Sequence, residues 1–409
     1  MSSDLFDKFQ SVLDQHARLP KDAKDPFAVR MDEVHSQTEA TINGKRTILV
    51  GTNNYMGMTF DEDALKAARD ALDSFGTGTT GSRVLNGTYS IHKQLEATLA
   101  DFYNTKYAMV FSTGYQANLG ILSTLVGKDD YIIIDADSHA SIYDGCALGT
   151  ATLMRFKHND AADLDKRLGR IPEGAGKLVV IETVYSMLGD KAPLAEIIKV
   201  TKKHGAYLAV DEAHSMGIYG KTGRGVVQEM GLEDSVDFII GTFSKSVGTV
   251  GGFCVSNHPK FEILRLVCRP YMFTASLPPS VVASANSAIN SLRHAHNLRG
   301  AIWESASHLH GALKDAGFNM GTSTAESPII AICLKDMEMT VRFWSGLLER
   351  GVYVNMAVPP ATPSGLNLLR CSVCAAHKPE QIETVIRTFL ETAEGLGIKP
   401  SETHHVAEA

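Results

Sequence analysis

The chain has 409 residues, 44% of them hydrophobic and 21% charged, with 35 glycines, the composition of a soluble globular protein rather than a disordered or fibrous one. Its length exceeds the size at which a single core stops growing, so a large domain with a smaller companion is expected. A formal net charge of -7 and a pI near 6.1 give no basic face for nucleic acid and do not favour stable docking on anionic lipid.

No apolar run reaches the length of a membrane span. The first eight residues lack the basic-then-apolar layout of a signal peptide, so a cytosolic protein is expected. Six cysteines, Cys146, Cys254, Cys268, Cys333, Cys371 and Cys374, fit a reducing compartment in which they act as small buried hydrophobes. Cys371 and Cys374 have no second ligand pair at zinc-finger spacing and read as structural.

Apolar positions recur at helical spacing over residues 5 to 18, and Arg46 to Val50 reads as a strand; residues 1 to 60 are taken as an N-terminal arm. Helical patterns at 62 to 74 and 92 to 103 flank a glycine-rich stretch. Within it, Gly76-x-Gly78-x-x-Gly81 matches the dinucleotide fingerprint in letters but follows a helix instead of a strand, which argues against a Rossmann site. A nucleotide-binding module built on that stretch is the alternative from a different functional class, and it predicts a colourless protein.

Six apolar strands follow, at 108–112, 131–135, 178–182, 207–211, 238–241 and 252–255, with helical patterns between most of them. Such spacing means an α/β domain, residues 61 to 294, whose mostly parallel sheet is covered by helices on both faces. Ligands of these sheets sit beyond the carboxyl ends of the strands. Ser112, Asp135, His139, Glu182, Ser186, Asp211, His214, Thr242 and Lys245 accumulate there. Residues 295 to 400 read as a smaller C-terminal α+β domain with strands near 329–333, 352–354 and 366–371 and a last helix at 379–396, and 401 to 409 form a polar tail. His294, His296, His404 and His405 lack companions at ligand spacing, so no metal is expected.

The stretch Thr242-Phe-Ser-Lys245-Ser-Val-Gly248 puts a lysine between small hydroxylated residues straight after a buried strand. Desolvation or a nearby cation lowers the pKa of such a lysine until it can hold an aldehyde as an imine; read alone, a surface lysine on a turn accounts for it as well. Ser112-Thr-Gly114-Tyr115-Gln-Ala-Asn118 supplies a strand, a tight glycine turn and a helix start, an arrangement that binds phosphate through backbone N–H groups. Thr242 and Ser244 add hydroxyl donors, and a plain capped turn serves equally well as a reading of this piece. Asp211, closing its strand, suits a carboxylate that keeps a cofactor ring nitrogen protonated, or else a helix cap. His214 and Ser186 can reach the phenolic oxygen of the same ring. His139 can stack on the ring and exchange protons near neutrality, or be a buried structural histidine.

As a set these motifs resemble a family. Ser112-Thr-Gly-Tyr-Gln-Ala-Asn118, Asp137-Ser-His-Ala-Ser141, Val210-Asp-Glu-Ala-His-Ser-Met-Gly217 and Gly241-Thr-Phe-Ser-Lys-Ser-Val-Gly248 are similar to those of the α-oxoamine synthases, pyridoxal phosphate enzymes of aminotransferase fold type I, and the likeness runs from Asn53 to Arg370. Gly81-Ser-Arg-Val-Leu-Asn-Gly-Thr88, Arg269 to Pro279 and Pro359 to Pro363 make the chain most similar to the bacterial serine palmitoyltransferases among them. The resemblance implies pyridoxal 5'-phosphate as cofactor, Lys245 as imine-forming lysine and α-proton base, Asp211 at the pyridinium nitrogen, His139 on the ring face, and His214 with Ser186 at the phenolic oxygen. It implies Gly114, Tyr115, Thr242 and Ser244 near the cofactor, Thr274 and Ala275 reaching the phosphate across a homodimer interface, and Asn54, Tyr55 and Arg370 at the amino-acid substrate. Val358 stands before the Pro-Pro pair where several close relatives carry arginine, so either Arg370 and Asn54 suffice for the carboxylate or another residue substitutes. The implied reaction is decarboxylative condensation of L-serine with a long-chain acyl thioester, on coenzyme A or a carrier protein. Condensations starting from glycine or alanine, or of autoinducer type, are the alternatives within the family.

Overall fold

Seven strands build the central sheet of the computed structural model, which describes residues 4–17, 19–20, 23–359, 362 and 365–399. From edge to edge they are Tyr107–Phe111, Gly252–Ser256, Phe238–Thr242, Tyr207–Asp211, Lys177–Glu182, Tyr131–Asp135 and Thr152–Phe156. All neighbouring pairs are parallel except those of Gly252–Ser256, which runs antiparallel to both of its neighbours. The strands are apolar throughout because both faces are covered. Ile133, Val179, Ile181, Val210 and Ile239 enter one core cluster, while their alternate neighbours Ile132, Ile134, Leu178, Val180, Ala209 and Ile240 enter the other.

Register is what sets the site. Glu182 lies opposite Asp211, and Asp211 opposite Ile240, so carboxylates that close consecutive strands emerge side by side at one sheet edge. The antiparallel strand makes a short loop necessary between Thr242 and Gly252, and Lys245 rides on that loop. Gly248, at φ 76°, bonds its N–H to the Lys245 carbonyl at 3.0 Å; a Cβ there would also lie 2.7 Å from the Thr59 nitrogen.

Thr152–Phe156, a strand absent from the sequence reading, is an edge strand, and four of its five residues are not buried. An edge strand carries no continuous apolar run, so periodicity does not reveal it.

A three-stranded sheet of Ile329–Leu334, Asn367–Ser372 and Asn355–Ala357 forms the C-terminal part, covered by the helices His296–Asp315 and Met337–Glu349, on which Pro379–Gly395 packs. Lys45–Leu49 pairs in parallel with Val352–Tyr353, which ties the first sixty residues to this part of the chain. Two further backbone bonds, Ser372 N–H to the Val50 carbonyl at 2.6 Å and Ala375 N–H to the Tyr55 carbonyl at 2.7 Å, set the segment Asn53–Tyr55 beside Arg370. No helix among the described residues is long and apolar enough to cross a membrane. The tail 401–409 and part of the Pro359–Pro363 loop lie outside the described residues.

Candidate active site

Lys245 is partly buried, and its ammonium makes no hydrogen bond or ion pair with any described residue. Burial lowers the pKa of its ammonium; the carboxylates of Asp211 and Glu182 partly offset that shift, and Arg370 adds to it. An amine so held is nucleophilic closer to neutral pH than an ordinary lysine.

Asp211 is 6% exposed. Its Oδ1 accepts the Ala213 N–H at 2.8 Å and its Oδ2 accepts the Asn118 amide at 2.8 Å. Asn118 comes from the first turns of the helix Gly114–Leu125 and donates also to Ser141 Oγ at 3.0 Å. Ser141 Oγ in turn lies 2.8 Å from His139 Nδ1, which accepts the Ser141 backbone N–H at 3.2 Å. A backbone N–H can only donate, so Nδ1 is the acceptor and the neutral ring carries its proton on Nε2. His139 caps the helix Ala140–Leu148 through this bond. Its ring opens onto the cleft. Partial burial and the nearby Lys245 hold its pKa below the ordinary histidine value.

Glu182, 3% exposed, accepts the His139 backbone N–H at 2.6 Å. Burial first and the charge of Asp211 second push its carboxyl up to about 8. Asp211 and Glu182, side by side at the ends of neighbouring strands, both face Lys245. Glu212, in contrast, is spent on structure. Its carboxylate takes the N–H groups of Val226 and Val227 at 3.1 and 2.9 Å, and Thr183 Oγ1 at 2.8 Å.

At the start of the helix Gly114–Leu125, the Thr113 hydroxyl caps the Gln116 N–H at 3.0 Å. Thr242 Oγ1 lies 2.9 Å from Ser244 Oγ. Gly114 packs so closely on Thr242 that a Cβ would fall 2.6 Å from the Thr242 Cβ, so only glycine lets the helix end approach these hydroxyls. Tyr115 is exposed and donates its hydroxyl to Asp144. The segment with Thr274 and Ala275 is anchored on its own chain: Ser112 Oγ donates to the Ala275 carbonyl at 2.7 Å, and Gln116 Nε2 to the Pro270 carbonyl at 2.7 Å.

On the other side of Lys245, Arg370 donates from Nε to the Ser186 carbonyl at 2.5 Å and from Nη1 to Ser372 Oγ at 2.9 Å. Both Nη atoms also reach Asn53 Oδ1. Tyr55, fully buried, lies with its hydroxyl 2.8 Å from His214 Nδ1. Asn54 instead donates to Thr59 Oγ1 at 2.7 Å, so the asparagine that meets the guanidinium is Asn53.

Comparison with known proteins decides the family. The model of the aminotransferase class I and II family matches residues 45–389. The chain belongs to this family. Within it, the serine palmitoyltransferase of Sphingomonas paucimobilis is 58% identical over 396 residues, covering 97% of this chain and 94% of that protein. A structure of that enzyme with a bound PLP-myriocin aldimine superposes with a TM-score of 0.95 over 97% of this chain and all of that one. The Sphingomonas wittichii serine palmitoyltransferase gives 0.95 at 61% identity, with the same coverage of both chains. The fold of this aminotransferase-family member is thus that of fold type I, as the sequence motifs led one to expect.

Of the residues singled out from the sequence, Lys245, Asp211, His139, His214, Ser186 and Arg370 gather around one point, and Gly114, Thr242 and Ser244 meet at the start of the helix Gly114–Leu125. Asn118, Ser141, Glu182 and Asn53, to which the sequence reading gave no role, hydrogen-bond Asp211, His139 and Arg370 or one another. Asn118 carried a signal, as a polar residue on an apolar helix start within a quoted motif. Ser141 likewise closes the motif Asp137–Ser141, whereas Asn53 carried no signal, since only its partner distinguishes it from Asn54.

Proposed function

We propose that the protein is a pyridoxal phosphate-dependent serine palmitoyltransferase. It joins L-serine to a palmitoyl group carried as a thioester, releases carbon dioxide and the thiol, and leaves 3-ketosphinganine, the first step of sphingolipid biosynthesis. The observation that carries this reading is the 58% identity to the Sphingomonas paucimobilis enzyme across 97% of the chain.

The donor set fits the cofactor. A glycine helix start beside the paired hydroxyls of Thr242 and Ser244 suits a phosphate, a buried carboxylate suits a ring nitrogen, and an unpartnered lysine suits an aldehyde. We assign Gly114, Tyr115, Thr242 and Ser244 to the phosphate, Asp211 to the ring nitrogen, His139 to the ring face, and His214 with Ser186 to the phenolic oxygen. When bound, pyridoxal phosphate supplies an electron sink for the charge that develops at the serine α-carbon.

Lys245 would hold the cofactor aldehyde and would accept the serine α-proton, for which its lowered pKa suits it. Arg370 holds the serine carboxylate through its planar fork, where Asn53, the asparagine on that guanidinium, gives way to it. His139, with its proton on Nε2, hydrogen-bonds the oxygen of the incoming acyl group and eases departure of the thiol. Thr274 and Ala275 extend to the phosphate of a second copy in a homodimer. Coenzyme A is the carrier of the acyl group, and delivery of an amphipathic product brings the protein into transient contact with the inner face of a membrane.

The test is to incubate the loaded enzyme with serine, glycine or alanine against acyl chains of different length, each on coenzyme A and on a carrier protein, and to read products by mass. The expected product is 3-ketosphinganine from serine and palmitoyl-CoA. Turnover of glycine or alanine alone would identify a different α-oxoamine synthase.

A further inference from the structure

Tyr55 was expected at the substrate, yet its side chain is 0% exposed and its hydroxyl is already engaged on two sides. One contact is Arg370 Nη2 at 3.2 Å and the other His214 Nδ1 at 2.8 Å. A guanidinium only donates, so toward Arg370 the phenol oxygen is an acceptor. The single hydroxyl proton then has two acceptors within reach, His214 Nδ1 and Asn53 Oδ1, and the second lies farther away at 3.3 Å. The proton goes to the histidine.

We propose that Tyr55 is a positioning residue that locks His214 as its Nε2–H tautomer and joins it to the guanidinium of Arg370. This rests on the cofactor reading above. A neutral imidazole has one proton for two nitrogens; with the Nδ1 lone pair taken by the Tyr55 hydroxyl, Nε2 must carry it and can serve only as a donor. Such a ring stabilises an oxyanion, whereas the opposite tautomer presents a lone pair and repels it. Burial, reinforced by Lys245 and Arg370, holds His214 well below the ordinary histidine pKa, so the ring is neutral and its tautomer is a real choice. The same chain of bonds gives Arg370 a way to act at a distance. A carboxylate on the guanidinium changes how strongly Nη2 polarises the Tyr55 hydroxyl, and hence how strongly His214 donates.

The experiment compares visible absorption spectra of pyridoxal phosphate-loaded wild type, Tyr55→Phe, His214→Phe and the double variant, with bound cofactor quantified and serine Kd measured from the spectral change. Tyr55→Phe should retain the cofactor, alter the ratio of its visible bands and raise serine Kd roughly tenfold, the loss expected for a hydrogen bond to a charged group. In the His214→Phe background the Tyr55→Phe change should leave the bands unaltered. Unchanged bands in the single variant, or additive changes in the double one, overturn the relay. Should Tyr55→Phe fail to fold, 3-fluorotyrosine at position 55 keeps the packing and acidifies the hydroxyl; it should move the same bands, and an unmoved spectrum overturns the proposal. A wild type that binds no pyridoxal phosphate refutes the cofactor reading itself, a result distinct from any of these.

Discussion

The side-chain carbonyl of Asn53 sits on the fork of the Arg370 guanidinium, 3.3 Å from both Nη1 and Nη2. With Ser186, Ser372 and Tyr55 on its other N–H groups, the guanidinium has every donor engaged. On the proposed reading, a serine carboxylate would reach the fork by displacing Asn53. Bonds of 3.3 Å are long, so the incumbent is weak. Asn53→Ala should tighten serine binding roughly two- to tenfold, the worth of about one neutral hydrogen bond. Asn53→Asp should weaken it by more, since a fixed carboxylate would hold the fork. Isothermal titration with serine checks both; weaker binding by Asn53→Ala would show that Asn53 assists the substrate instead of competing with it.

Lys245 is the lysine to which cofactor should be found attached. Borohydride reduction of the loaded protein followed by peptide mass mapping should put the adduct on Lys245, and Lys245→Ala should abolish it. Loss of the proton-transfer group should lower turnover by about 10²–10⁴-fold or more. An adduct on any other lysine refutes the assignment.

Asn118 serves two sides of the site at once, Asp211 at 2.8 Å and Ser141 at 3.0 Å. Asn118→Ala strips a donor from a buried carboxylate, which costs about 1.5–3 kcal/mol. It also releases the serine that orients His139. Equilibrium dialysis should show weaker cofactor retention, and kcat should fall as well; an effect on melting temperature alone would mean that Asn118 is only a packing residue.

Gly114→Ala adds a methyl group 2.6 Å from the Thr242 Cβ. Neither partner can yield easily, because one is a helix start and the other a strand end. The helix must move away from the Thr242 and Ser244 hydroxyls. Cofactor affinity should fall at least tenfold while far-ultraviolet circular dichroism stays unchanged, and full affinity would separate this helix end from the phosphate.

His158 lies between two carboxylates, with Nδ1 2.8 Å from Asp135 and Nε2 2.8 Å from Asp190, and Tyr185 packs edge-on against it at 4.5 Å. Burial disfavours its charge, but the bonds to Asp135 and Asp190 overcome that and raise its pKa to about 10. A group whose pKa is higher folded than unfolded stabilises fully below the unfolded value, near 6.5. That contribution is lost as pH rises toward about 10. Wild type should thus exceed His158→Gln in melting temperature by most at pH 6 and by progressively less up to pH 10. A gap that stays constant with pH would rule out an imidazolium at this position.

How much of this was legible beforehand depends on the kind of interaction involved. The strands 131–135 and 207–211 and the residues at their ends follow from local pattern, because a strand buried on both faces must be apolar along its length and must stop where polar groups begin. Thr152–Phe156 lacked that pattern and was missed. Lys245, Asp211, His139 and His214 stood out through residue type and neighbouring motif, whereas Asn53 had no motif that set it apart from Asn54. The sequence implied Asn54 at the carboxylate, and the pairing of the Asn53–Tyr55 segment with residues 372 to 375 gave the guanidinium to Asn53.

The amino-acid sequence by itself determined the α/β layering, the side of the sheet on which chemistry gathers, and the family, since each depends on spacing along the chain. The tertiary structure alone decided which donor faces which acceptor: Asn118 bridging Asp211 and Ser141, Glu182 beneath His139, and Tyr55 between Arg370 and His214. Those contacts join residues up to 315 positions apart. Hydrogen bonding depends on tenths of an ångström and on direction, and register between distant strands supplies both.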